Sequence, residues 1–418
     1  MAINLSIKNR DVLEDCISKT DCSFDIIFSD PPYNLNTKWK IDKITGRYET
    51  KSAVDFLSKW DGLDGKFLDS MFQQFYRILK HGGYCVLYCA SRQSSPFYYY
   101  AVKHGFEIME PLYWFYTKSF PKVIDVTKAL KDKGIDNTDF EGYKYSQTPL
   151  KQVLDMILVF RKPAKFGIQD DILAAYKNDK IHPSCFNIDD SRVPFTSESD
   201  KRGCASNTGD GDSDCGDVFN KETCRFHTPG YVITPHDNGR FPSQLFVDEH
   251  CKNVIDEQSG ERRSGSPVNN RPLKHYNFER DQKFAGNVNF DGYTDKGGAS
   301  KILHVCSYEQ EHDLVLFASK VGKSERNAGC ERNAHPCVKP ISLNYRILKL
   351  FKLPKTFTER IYIPFSGSGS EVIAAIKNGY NEIHAVEIDK EYIKVAVERI
   401  KYWSKTKIKE ETTKHKLF

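Results

Sequence analysis

The chain has 418 residues, a formal net charge of +5 and 39% hydrophobic residues, enough for a sizeable core divided over two or three domains. Its longest apolar runs, such as MILVF at 156–160, are far too short to cross a bilayer, and the N-terminal MAINLSIKNRD lacks the apolar core of a signal peptide; a membrane protein is excluded and a cytoplasmic one expected. The mild positive charge permits a polyanionic partner without demanding one, and the 12 cysteines read as free thiols or metal ligands rather than disulfides.

The first stretch has α/β character. VLEDCI (12–17) suits a short helix, and FDIIFS (24–29) a fully buried strand. In GKFLDSMFQQFYRILKHGG (65–83), Phe67, Leu68, Met71, Phe72, Phe75, Ile78 and Leu79 recur at helical spacing. The pattern predicts an amphipathic helix stopped by Gly82-Gly83. YCVLYCA (84–90), FEIMEPLYWFYT (106–117) and VLDMILVFRK (153–162) read as strands. Such alternation implies a mainly parallel sheet covered on both faces.

After about residue 165 the character changes. Residues 196–300 are rich in Gly, Asp, Ser and Asn and read as a loop-rich insertion. Cys204, Cys215, Cys224, His227 and His236 raise the question of zinc. Only Cys224 and His227 are closely spaced and no C-x-x-C occurs, so no metal is expected. Regular patterning returns with a helix at 342–351, a strand at 360–365, a helix at 370–379, a strand at 382–388 and a helix at 389–403 capped by Asp389. The expected division is 1–165 and 331–405 as two parts of one catalytic domain, 166–330 as an insertion, and 406–418 as a lysine-rich, solvated tail.

Two turns carry chemistry. SDPPYN (29–34) follows a buried strand, and its prolines end that strand. They hold Asp30 and Tyr33 on a stiff loop at a strand's end, where ligands bind in open α/β sheets. PFSGSGSEVIAAIKNG is a glycine turn between strand and helix, with Glu387 closing the next strand. An acid there can accept hydrogen bonds from ribose hydroxyls. No third glycine spells out a pyrophosphate cradle, so an adenosine without phosphates, as in S-adenosylmethionine, fits better than a dinucleotide.

These pieces resemble the amino-group DNA methyltransferases of the permuted (beta) class, in which the catalytic motif precedes the cofactor motif. RDVLEDC, FDIIFSDPPYN, AHPCVKPISLNYRIL and IPFSGSGSEVIAAIKNGYNEIHAVEID occur in that order. FPKVIDVTKAL, FNIDDSRVP, NGRFPSQLF and ASKVGKSERN are similar to a phage and prophage branch. The resemblance covers roughly residues 9–165 and 318–400, with islands between. It implies a Rossmann-like α/β methyltransferase fold with circularly permuted motifs, S-adenosylmethionine as cofactor, and methyl transfer to the 6-amino group of adenine.

In that chemistry the amine is a poor nucleophile, because its lone pair is delocalised into the ring. Asp30 would accept one amine hydrogen and the Pro31 carbonyl, stiffened by Pro31 and Pro32, the other. Tyr33 would stack on the flipped base. The resemblance also places Asp11 at the cofactor's adenine, and His335, Lys339 and Pro340 at its methionine end. Asp30, Phe365, Gly367, Gly369 and Glu387 complete the implied pocket. Double-stranded DNA is the implied partner, read by the insertion; a homodimer and a cognate restriction endonuclease are the further partners it admits.

The chain departs from the family at two places. Ile363 stands where an Asp usually precedes Pro-Phe and helps hold the cofactor's methionine end. Ser370 and Glu371 replace a Thr pair. Methylation of the 4-amino group of cytosine, and a catalytically degenerate DNA-binding paralogue, are the alternatives.

Overall fold

A computed structural model of the chain describes residues 3–32, 38–43, 48–51, 63–116, 122–135, 139–148, 150, 153–178, 182–195, 201, 206–207, 232–233, 236–260, 262–263, 268–272, 287–290, 296–297, 304–306, 321–354 and 357–405. It divides into two compact units. The first comprises Met1–Asn187, Gln244–Cys251 and Val305–Phe418; the second comprises Ile188–Ser243 and Lys252–His304.

The first unit is built on one sheet. Its strands are β1 (Asn4–Asn9), β2 (Phe24–Ser29), β3 (Leu79–Cys89), β4 (Leu112–Phe115), β5 (Leu154–Arg161), β6 (Leu245–Asp248), β7 (Arg360–Ile363) and β8 (Glu382–Glu387). Their order is β1-β8-β7-β2-β3-β5-β4-β6, followed by the short strand His304–Cys306. From β1 to β3 every pairing is parallel. β5 then runs antiparallel to both β3 and β4, so the sheet is mixed where a mainly parallel one was expected. β2 is buried along its whole length, as a central strand covered on both faces must be.

Helices α1 (Val12–Ile17), α2 (Gly65–Ile78) and α3 (Ser94–Lys103) cover one face. Val12, Cys16, Leu68, Met71, Phe72, Phe75, Phe97 and Tyr100 pack there against Phe24, Ile27, Cys85, Leu158 and Phe160. Among the other helices, those that bear on the site are α4 (Ile341–Leu350), α5 (Ser370–Lys377) and α6 (Lys390–Lys405). Tyr84 and Tyr88 point the other way from Cys85, as alternation in a strand requires. The Tyr84 ring lies 5.0 Å from Phe351, just beyond α4, and the Tyr88 hydroxyl donates to Asn344 of α4 at 2.6 Å. The result is a three-layer, Rossmann-like α/β architecture.

Three local expectations need correction. The helix predicted over 65–83 stops at Ile78, and Leu79–Gly83 opens β3. Leu79 pairs with Phe24, while Gly82 and Gly83 exchange backbone hydrogen bonds with Lys162. The buried Lys162 ammonium takes the carbonyls of Tyr76 and Leu79 at 2.8 and 2.9 Å, satisfying the helix end. The strand predicted over 106–117 splits into Glu107–Ile108 and β4, because Pro111 between them has no N–H for the ladder. β1 was not anticipated; it adds to the edge by pairing with β8.

Gln244–Cys251 rejoins the first unit from within the stretch read as an insertion, since β6 pairs with β4. Within the second unit the described pairings are short and antiparallel, the longest joining Val268–Pro272 to Asn287–Phe290. Val193 bridges Arg240 beside Gly239, whose φ of +117° and contact with the Val193 carbonyl leave no room for a side chain. Among the described residues no helix is long and apolar enough to cross a membrane.

Candidate active site

The C-terminal ends of the parallel neighbours β2 and β7 lie side by side, so the loops that follow them meet although they are far apart in sequence. The Ser29 hydroxyl ties them, donating to the Pro364 carbonyl at 2.5 Å. Asp30 follows directly. Its Oδ2 accepts the Lys339 ammonium at 2.6 Å, with the Asp30 side chain 11% and the Lys339 side chain 6% exposed. Its Oδ1 is buried and has no hydrogen-bond partner among the described residues. Pro31 is buried and Pro32 half-buried. Tyr33 lies outside the described residues.

The glycine turn after β7 is strongly shaped. Phe365, Gly367 and Gly369 have φ of 55°, 47° and 81°, a conformation that favours glycine. A Cβ on Gly367 would stand 2.7 Å from Nε2 of His335, so only glycine fits. Phe365 is the non-glycine exception; its ring lies 6.3 Å from that of Phe67. Glu387, buried at the end of β8, accepts the Gly367 N–H at 2.8 Å through Oε2 and the Asp389 N–H at 3.0 Å through Oε1. Burial pushes this carboxyl up from its ordinary range, and the backbone N–H groups pull it back. The carboxylate keeps lone-pair capacity for a further donor. From α6, the fully buried Arg399 donates to the Ser368 carbonyl and to the hydroxyls of Ser368 and Ser370, at 2.6, 2.9 and 3.2 Å. The turn is therefore clamped from both sides.

The segment before α4 supplies the third wall. Arg326 donates to the Asn333 carbonyl at 2.9 Å and to the His335 carbonyl. Asn333 returns a bond to the Arg326 carbonyl and accepts the His335 N–H at 3.0 Å. His335 sits edge-on to Tyr392, ring centroids 4.5 Å apart. Desolvation lowers its imidazole to about 4, so it is neutral near pH 7. Its Nδ1 accepts the Cys337 N–H at 3.3 Å, which leaves the proton on Nε2, facing Gly367. Pro340 caps α4 in an extended conformation. For Lys339 burial opposes the charge, and the Asp30 carboxylate together with Cys337 and Asp155 more than offsets it, raising the ammonium above its usual value.

The structure thus gathers Asp30, His335, Lys339, Phe365, Gly367, Gly369 and Glu387 around two neighbouring strand ends. Lys339, expected at the cofactor's methionine end, has its ammonium on Asp30. Asp11 is the N-cap of α1, its Oδ1 accepting from Leu13 and Glu14. Ile363 is fully buried in β7 opposite Ala385. Ile363→Asp is therefore expected to strand a carboxylate in the core, costing about 3–5 kcal/mol. A thermal melt checks this: an unchanged melting temperature would mean that the side chain reaches solvent or a partner.

Sequence reasoning passed over Arg399, Asn333, Tyr88 and Asn344. Arg399 left one signal, an arginine on the apolar stripe of α6 beside Ala396 and Ile400. The others are ordinary residues until the chain folds. Among the described residues no group of three or more His, Cys, Asp or Glu is placed to hold a metal ion. Cys204, Cys215, Cys224 and His227 lie outside the described residues, and His236 stands 3.6 Å from Asp189.

No curated protein sequence matches the chain. Among solved structures, the M1.HpyAVI–SAM complex is similar at 13% identity, covering 94% of this chain and 98% of that one, with a TM-score of 0.37. TTHA0409 from Thermus thermophilus, complexed with S-adenosyl-L-methionine, is similar at 14% identity over 96% and 94%, with a TM-score of 0.38. The PvuII DNA methyltransferase (cytosine-N4-specific) is similar at 12% identity over 96% and 87%, with a TM-score of 0.39. The family model N6_N4_Mtase, described as DNA methylase, matches residues 24–398. A match of that length, spanning both strand-end loops and the strands that carry them, settles the family: the chain belongs to the N6_N4_Mtase DNA methylases.

Proposed function

We propose that the chain transfers a methyl group from S-adenosylmethionine to the 6-amino group of an adenine turned out of double-stranded DNA, as a permuted-class enzyme. The observation that carries this reading is the buried Oδ1 of Asp30 beside the glycine turn, which has no hydrogen-bond partner among the described residues. The residues fit the cofactor. The turn has no room for a Cβ at Gly367, Glu387 keeps lone pairs for ribose hydroxyls, and no phosphate cradle is spelled out. Asp11 keeps Oδ2 for the adenine amine, as the resemblance implies, and Phe365 and His335 flank the turn.

When bound, S-adenosylmethionine supplies a methyl group made electrophilic by its sulfonium. Lys339 fixes Asp30 through Oδ2 and so aims Oδ1. Oδ1 accepts one hydrogen of the exocyclic amine, and the Pro31 carbonyl accepts the other. Together they return the nitrogen lone pair from the ring and point it at the donor, a preorganised arrangement needing no rearrangement in the transition state. Tyr33 stacks on the extruded base, and the second unit contacts the duplex. A homodimer and a cognate restriction endonuclease complete the proposed partners.

Adenine is favoured over cytosine because Ser often takes the place of the acid in the cytosine enzymes this chain resembles, whereas Asp30 is present here. The test is nucleoside analysis of DNA from cells expressing the chain. N6-methyladenine is expected; N4-methylcytosine would move the target to cytosine, and no modified base would reject the activity.

A further inference from the structure

Behind the Asp30 loop several buried acids share few cations. Lys339 lies on Asp30 and also over the Tyr88 ring, 4.8 Å from its centroid. Tyr88 donates to Asn344 Oδ1 at 2.6 Å, and Asn344 Nδ2 donates to Glu371 Oε1 at 3.1 Å. Tyr88 and Asn344 are fully buried and Glu371 is 5% exposed. Glu371 lies in the first turn of α5, directly behind the glycine turn. Two carboxylates, Asp30 and Glu371, thus bear on one ammonium, with Asp155 acting on Lys339 from β5. Arg399 faces Glu371 from α6 as a second buried cation; it donates to Ser368 and Ser370, and its charge acts on Glu325 first and on Glu371 second. Burial, then the Asp30 charge, push Glu371 up to about 7, while Lys339 and the Asn344 amide pull the other way.

We propose that Glu371 is a specificity-determining residue of the cofactor site: its carboxylate favours the cationic donor S-adenosylmethionine over the product S-adenosylhomocysteine, and it takes up a proton when the product replaces the donor. This rests on the methyl-donor reading above. Donor and product share adenosine and amino acid and differ by the methyl group and the positive charge on sulfur. In a low-dielectric pocket an unbalanced carboxylate is costly, and protonation is the ready way to remove it. As the methyl group leaves, the sulfur keeps the C–S electron pair and loses its charge. The accepting nitrogen sheds a proton to solvent, and Glu371 takes one up from solvent. The neutral acid spares the product complex an uncompensated buried charge, and the next donor molecule must drive that proton off again.

The pH dependence has a definite sign. The donor is held by ionised Glu371, so its affinity falls as pH drops below the value at which free Glu371 protonates. Among the facing groups, Lys339 stays charged and His335 stays neutral over this range. Glu387 would act on the ribose, which donor and product share, so its titration drops out of their ratio.

Calorimetry on the full chain tests the inference, with each compound at about pH 6 and about pH 8 and in buffers of different ionisation enthalpy. The donor is expected to bind about tenfold or more tighter than the product at the higher pH, with the ratio shrinking toward the lower. Near neutrality donor binding should release a fraction of a proton that product binding does not. Glu371→Gln keeps an acceptor for Asn344 and should show a smaller ratio, the same at both pH values. An unchanged ratio in Glu371→Gln, or a wild-type ratio flat with pH, overturns the inference. Should the variant fail to fold, the wild-type pH dependence and proton release decide alone. Binding of both compounds without discrimination sinks only the charge selectivity; binding of neither sinks the methyl-donor reading as well.

Discussion

Asp30→Asn is expected to lower methyl transfer to DNA by about two to three orders of magnitude, the loss typical when a preorganised transition-state contact is removed. The reason is geometric. Lys339 will hold the amide oxygen as it now holds Oδ2. The amide nitrogen, a donor, then faces the N–H of the target amine where Oδ1 stood. Alanine is the poorer variant, because it removes the carboxylate that neutralises a buried ammonium and costs about 3–5 kcal/mol of stability. The asparagine variant should retain cofactor affinity within a few-fold and melt near the wild type. Turnover close to wild type would mean that another group activates the amine.

Glu387→Ala should weaken S-adenosylmethionine binding by about ten- to a hundredfold. A hydrogen bond to a charged acceptor is worth about 1.5–3 kcal/mol, and in the proposed function the carboxylate serves the ligand as well as the turn. Its removal orphans the Gly367 and Asp389 N–H groups, so the melting temperature should fall as well. Glu387→Gln separates the two roles: one oxygen can still take the Gly367 N–H, so the melt should recover more than the affinity. An unchanged dissociation constant in Glu387→Ala would reduce the residue to a structural cap.

Much of this site was legible because it lies in short, contiguous motifs. The prolines at 31 and 32, the glycines at 367 and 369 and the acid at 387 report backbone geometry directly, since each residue type is restricted in what it can adopt. The juxtaposition of residues 30 and 367 followed once both were read as strand-end loops of one sheet. The polar connections were not legible. Nothing local tells Lys339 to seek Asp30 rather than a ligand, and the Tyr88–Asn344–Glu371 chain joins three distant elements. Helical periodicity through Leu79 misled because propensity competes with pairing, and the Leu79–Phe24 register wins once the sheet forms. The antiparallel β5 depends on the path of the preceding residues, which hydropathy patterns do not encode.

In the proposed reaction Asp30 Oδ1, which has no hydrogen-bond partner among the described residues, activates an exocyclic amine of DNA for methylation by a donor seated on the Gly367 turn. Its most direct measurement is single-turnover transfer from methyl-labelled S-adenosylmethionine to unmodified genomic DNA, with wild type and Asp30→Asn run in parallel and the digested nucleosides identified by mass spectrometry. Label is expected on the 6-amino group of adenine with the wild type and about a hundredfold less or lower with the variant. Label absent from DNA with the wild type, or present equally with both proteins, would contradict the proposed reaction.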